Sequence, residues 1–128
     1  MRGVSSLETL CRSTRQCGFS AMALTDTNGL YGAIRFVEEA RQQGLRPILG
    51  AELTTADHRA ILLVKTPDGY AALCRLLSKR HTDLSFDFLR AVSQFRDGLI
   101  VATDDESALL VWAAESREDL YEELTPGP

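Results

Sequence analysis

Ala21 to Ala33 reads AMALTDTNGLYGA, an apolar run from Ala21 to Leu24 cut off by Thr25-Asp26-Thr27-Asn28-Gly29 and followed at once by a helical pattern. That order predicts a strand, a tight turn and a helix N-terminus. In parallel α/β proteins such a turn lies at the carboxyl end of a strand, where ligands and metals gather. Asp26 and its neighbours are therefore the first place to look for chemistry.

The rest of the chain repeats the alternation. Ser5, with Glu8 three residues on, has the form of a capping box, and Leu7, Leu10, Cys11 and Thr14 continue at helical spacing, so a first helix is expected from about Ser6 to Gln16, ended by Gly18. After the opening turn, Ala33, Ile34, Val37 and Ala40 form the expected apolar face of a second helix, which Gly44 ends. Pro47 to Leu53 reads as a buried strand with Glu52 near its carboxyl end. The polar link Thr54 to Arg59 is too short for a crossover helix, so the next strand, Ala60 to Lys65, is expected to run antiparallel to it or to be only loosely joined.

Thr66 and Pro67 open a third helix running through Arg80, with His81 just past its end. Ser85 or Asp87 opens a fourth, broken at Asp97-Gly98. Leu99 to Ala102 is a strand, Thr103 or Asp104 caps a helix from about Asp105 to Ala114, and Leu120 to Leu124 is a weaker last strand, before a tail from Thr125 to Pro128 that reads as a stop or a truncation scar. Five strands alternating with five helices predict an α/β sheet or part of a barrel, in a single domain spanning 1–128.

Composition narrows the function classes. The formal net charge of -4 is the wrong sign for direct nucleic-acid binding, and Lys79-Arg80-His81 reads as solvated charge at a helix end. No apolar run reaches the roughly eighteen residues of a membrane span, and MRGVSSLETL lacks the apolar segment of a signal peptide, so a cytoplasmic location is expected. Cys11, Cys17 and Cys74 fall in helical patterns as reduced structural thiols. Cys11 and Cys17 would stand about 240° apart around a helix and share no metal face.

Asp26, Glu52 and His81 fall at element ends on what could be one rim, and two carboxylates with an imidazole can ligate zinc, manganese or iron. The plainer reading is a helix cap, a surface ion pair and a solvated helix end. No phosphate loop is present, and Asn28-Gly29 reads as a turn signal alone. His58 reads as a surface residue in its polar link, and Trp112 as core or interface packing.

The string ALTDTNGLYGAIRFVEEARQQGLRPILGAEL, with ILLVKTPDGYAALCRLLSKRH after it, resembles the polymerase-and-histidinol-phosphatase (PHP) domain at the N-terminus of bacterial DNA polymerase III α subunits, closest to the error-prone branch. The resemblance runs from about Gly3 to Leu124. Its most specific parts are Thr25-Asp26 with Gly29-Leu30-Tyr31-Gly32, then Gly50-Ala51-Glu52, then Gly69-Tyr70 with Leu73 to Leu77 and His81.

The resemblance implies a distorted β/α barrel with up to three metal ions at its carboxyl rim, hydrolysing phosphoesters or proofreading 3′ ends where active. It also implies departures from that pattern. The family's first ligands, a His-x-His pair, stand before the segment matched by Gly3 to Ser6, and a later Asp-x-His would lie beyond Pro128. The family's Thr-Asp-His is Thr25-Asp26-Thr27 here. Glu52, His81 and Asp26 are the metal candidates left, and Asp26 is the one weak catalytic candidate.

The expectation is a partial barrel lacking its first and later strands, holding at most one weakly bound Zn, Mn or Mg ion. It would be a non-catalytic structural or interaction module in a replication or translesion polymerase, packing on the polymerase core, with open strand edges that favour a homo-oligomer. The alternative is a metal-dependent phosphoesterase or 3′–5′ exonuclease-type hydrolase.

Overall fold

The computed structural model describes residues 3–124, with side chains from residue 7 onward; the tail 125–128 lies outside it. The elements follow in the order α1 (Gly3–Gln16), β1 (Ala21–Thr27), α2 (Ala33–Gln42), β2 (Arg46–Thr54), β3 (Arg59–Val64), α3 (Pro67–Thr82), α4 (Phe88–Phe95), β4 (Leu99–Thr103), α5 (Glu106–Glu115) and β5 (Leu120–Glu122). They form a mixed α/β fold around one five-stranded sheet of order β1-β2-β3-β4-β5.

Strand directions follow from linker length. A helix returns the chain between β1 and β2 and between β4 and β5, and both pairs are parallel. The short link after Thr54 makes β2 and β3 antiparallel, as its length requires, and β3 and β4 are antiparallel too. The carboxyl ends of β1, β2, β4 and β5 and the amino end of β3 therefore share one rim.

The sheet has two unlike faces. Register places Leu24 opposite Leu49, Ala51 opposite Leu62, and Leu62 opposite Val101, and this is the face the helices cover. Its main core joins Ala51, Leu53, Leu62, Leu99 and Val101 to Leu73, Leu76, Phe88, Val92 and Trp112 from α3, α4 and α5. A second cluster, Cys11, Phe36, Ala40 and Leu45 with Met22, Leu24 and Leu49, seats α1 and α2. Ile48, Ile61, Leu63 and Ile100 alternate onto the other face, only half-buried and in neither cluster.

Local chemistry explains the boundaries. Thr66 accepts from the Gly69 N–H at 3.1 Å with Pro67 at the first helical position of α3. Asp87 caps α4, and Asp105 caps α5 in place of the expected Thr103 or Asp104. Gly18 and Gly44 end α1 and α2 with φ of 93° and 77°, a backbone region that glycine enters freely.

Several expectations are corrected. α1 starts at Gly3, so Ser5 lies inside the helix, and its capping side chain lies outside the described residues. β1 does not stop at Leu24 but continues to Thr27, because Thr25, Asp26 and Thr27 all pair with β2. Ile34 is 77% exposed; Phe36, one residue from the expected stripe, is the side chain that α2 buries with Ala40. Cys17 is exposed just past α1, and His81 lies in the last turn of α3 rather than beyond it.

Candidate functional site

Pairing extends β1 to the rim, and pairing decides where its side chains go. Asp26 is opposite Ala51 and Thr27 is opposite Glu52. Successive strand residues alternate faces, so Asp26 stands on the helix-covered face while Thr27 and Glu52 stand together on the open one.

Asp26 Oδ2 accepts the Gly32 N–H at 2.8 Å, closing the loop that leads into α2. Asn28, at φ 55°, holds the end of β2: its N–H donates to the Glu52 carbonyl at 2.7 Å, its Oδ1 accepts from the Thr54 N–H at 2.8 Å, and its Nδ2 donates to Thr54 Oγ1 at 2.9 Å. A residue read as a bare turn signal is thus a side-chain continuation of the β1–β2 ladder. His81 Nε2 donates to the Asn28 carbonyl at 2.8 Å, and Arg80 Nε donates to the Thr54 carbonyl at 2.7 Å, so the end of α3 clamps the same turn.

On the open face, Thr27 Oγ1 donates to Glu52 Oε1 at 2.9 Å, and Arg59 Nε donates to Glu52 Oε2. The same guanidinium forks onto Glu123, with Nη1 to Oε1 at 2.6 Å and Nη2 to Oε2 at 3.2 Å, and lies 3.8 Å from Asp104 Oδ1. The bond from Arg59, then that from Thr27, holds the Glu52 carboxyl below the usual carboxylate range, outweighing burial. Glu123 and then Glu52 raise the Arg59 guanidinium in turn.

A further pair sits beside this network. His58 Nδ1 bonds Asp105 Oδ2, and its ring stacks on Phe88 with centroids 5.1 Å apart. Burial pushes Asp105 up, but the bonds from His58, the Ala108 N–H and Ser107 more than reverse it, leaving it below its ordinary value. An open cleft of about 450 Å³ adjoins, lined by Thr54, Thr55, His58, Arg59, Asp104 and Asp105. His58 thus lies at the surface as its polar link suggested, but half-buried and held by Asp105 and Phe88.

The three metal candidates do not converge. Asp26 faces the helices and is bonded to backbone, Glu52 faces away and has a donor on each oxygen, and His81 reaches across to a loop carbonyl. Among the described residues no three His, Cys, Asp or Glu side chains are grouped as a metal centre requires. A multinuclear centre does not fit this set. The residues that reasoning from the sequence missed are Arg59 and Glu123, which stand 64 positions apart and meet only through strand register.

An error-prone DNA polymerase of Anaeromyxobacter sp. (strain K) is 44% identical over 87 residues, covering 63% of this chain and 8% of that protein. Its counterpart in Xanthomonas axonopodis pv. citri is 40% identical over 103 residues, covering 76% of this chain and 10% of that one. The chain thus spans about a tenth or less of the length of these curated relatives. A solved structure described as a metal-dependent phosphoesterase from Bifidobacterium adolescentis is 19% identical and covers 92% of this chain and 49% of that one, with a TM-score of 0.43, too distant a likeness to bear on function. The PHP domain family matches residues 1–123. The chain belongs to the PHP domain family.

Proposed function

We propose that this domain is a structural or interaction module of an error-prone-type DNA polymerase polypeptide, acting in replication or translesion synthesis and itself not hydrolytic. One observation carries the reading: Thr27, where the motif Thr-Asp-His would put an imidazole, spends its hydroxyl on Glu52, and the other oxygen of Glu52 is taken by Arg59. A carboxylate committed to a guanidinium and a hydroxyl is a poor ligand for a divalent cation. One weakly held Zn, Mn or Mg ion is the most such a rim would take. Identity of 40–44% to error-prone polymerases supports the polymerase context.

In this role the domain packs against the polymerase core. Its acidic balance argues against direct contact with nucleic acid. Alone, it would self-associate through the outer edges of β1 and β5, which pair with no further strand among the described residues, and through the half-buried open face. The test is hydrolysis: release of phosphate from p-nitrophenyl phosphate and of nucleotides from a primer 3′ end, with and without Mn²⁺, in wild type and Glu52→Ala. No turnover above the Glu52→Ala background is expected. Mn²⁺-dependent turnover that Glu52→Ala abolishes would overturn the proposal and establish the phosphoesterase alternative.

A further inference from the structure

Three carboxylates from three parts of the chain, Glu52 in β2, Asp104 after β4 and Glu123 after β5, surround a single guanidinium at the sheet rim. Glu52 and Glu123 are about three-quarters buried, and both oxygens of each accept a hydrogen bond: Thr27 and Arg59 on Glu52, the two arms of Arg59 on Glu123. Like charges placed around one point repel unless a cation sits among them, and carboxylate oxygens are in general the ligands that hard divalent cations take. Here the cation is covalently part of the chain.

We infer that Arg59 is the built-in cation of this rim: it balances Glu52, Glu123 and Asp104 and, while in place, keeps divalent metal out. The fork geometry supports the assignment. A planar guanidinium can bond two carboxylates through different edges at once, which a lysine ammonium cannot reproduce. Position supports it as well. Arg59 is the first residue of β3, the one strand among the described residues whose amino end reaches this rim, so its side chain projects among the carboxyl ends of β2, β4 and β5. The Arg59 carbonyl accepts from the buried Thr103 hydroxyl at 2.6 Å, and the Glu123 N–H donates to the Thr103 carbonyl at 2.8 Å, so the backbone on both sides of the ion pair is fixed.

This inference deepens the proposed function and rests on the same reading of Thr27 and Glu52, but it fails separately: turnover decides the function, whereas melting and metal occupancy decide this. Metal-stripped wild type, Arg59→Met and Arg59→Met with Glu52→Gln are melted in chelated buffer and with Mn²⁺ alone or Ca²⁺ alone, and bound Mn²⁺ is counted by equilibrium dialysis. The expected result is a wild-type melting temperature indifferent to metal and no stoichiometric Mn²⁺. Arg59→Met melts lower, regains several degrees with Mn²⁺ and binds it; the added Glu52→Gln removes that response. If Arg59→Met fails to fold with or without metal, Arg59→Gln is read in the same way. Stoichiometric Mn²⁺ on the wild type, or a folded charge-removed variant that no divalent cation stabilises, overturns the inference.

Discussion

At Glu52 one hydrogen-bonded carboxylate links the rim's geometry to stability. Arg59, then Thr27, lowers its folded-state pKa below that of the unfolded chain. Its contribution is therefore complete above the ordinary carboxylate pKa of about 4 and is lost as pH falls through the lower folded value. Asp105 behaves in the same sense. Acid unfolding followed by circular dichroism should show stability falling below about pH 4–5, with a shallower fall in Glu52→Gln; an unchanged slope in that variant would contradict the assignment. Asp105→Ala should cost about 1–2 kcal/mol in urea unfolding, since it removes both the α5 cap and the His58 bond.

Much of the local structure at this scale is legible in the sequence: Thr66-Pro67, Gly18 and Gly44 act as their types predict. Arg59 is not, because nothing in residues 54–59 names a partner 64 positions away. Reading β1 as stopping where the apolar residues stop hides the rim, since Thr25 and Thr27 are polar for facing the open side, not for lying in a turn.

Among the elements, a close backbone approach joins the start of α3 to the turn before β4. A Cβ on Gly69 would stand 1.9 Å from the Gly98 carbonyl oxygen, and that same oxygen accepts the Lys65 N–H at 2.9 Å. Backbone cannot yield as a side-chain tip can. Gly69→Ala should destabilise the domain by about 1–3 kcal/mol or more, read as a lowered denaturation midpoint; a neutral result would mean the two segments move apart easily. Trp112 makes the complementary case, fully buried with its indole N–H on the Leu89 carbonyl at 2.9 Å. Trp112→Ala should cost about 3–5 kcal/mol by the same measurement. Element types and the antiparallel β2–β3 pair could be read from periodicity and linker length. The buried face of α2 could not: Ile34 and Phe36 suit the pattern almost equally, and only docking against Met22, Leu24 and Leu49 selects Phe36.

For the whole molecule, one sheet is covered by helices on one side and left with Ile48, Ile61, Leu63 and Ile100 half-buried on the other. Alternation in the strands contains this information, yet which apolar set meets helices emerges only when register is known. That register also separates Asp26 from Glu52, which proximity to strand ends alone would group. Self-association through the open edges predicts a mass above that of the monomer in light scattering, reduced by a lysine on the β1 edge such as Ala23→Lys; a monomer at high concentration would contradict it.

Whether this rim is held by its own arginine rather than by metal is read out by titrating Mn²⁺ into ¹⁵N-labelled wild-type protein and following paramagnetic broadening of the amide signals. No selective loss is expected at Thr27, Glu52, Arg59 and Glu123 relative to other surface amides. Selective disappearance of those four signals at low Mn²⁺ would contradict that expectation.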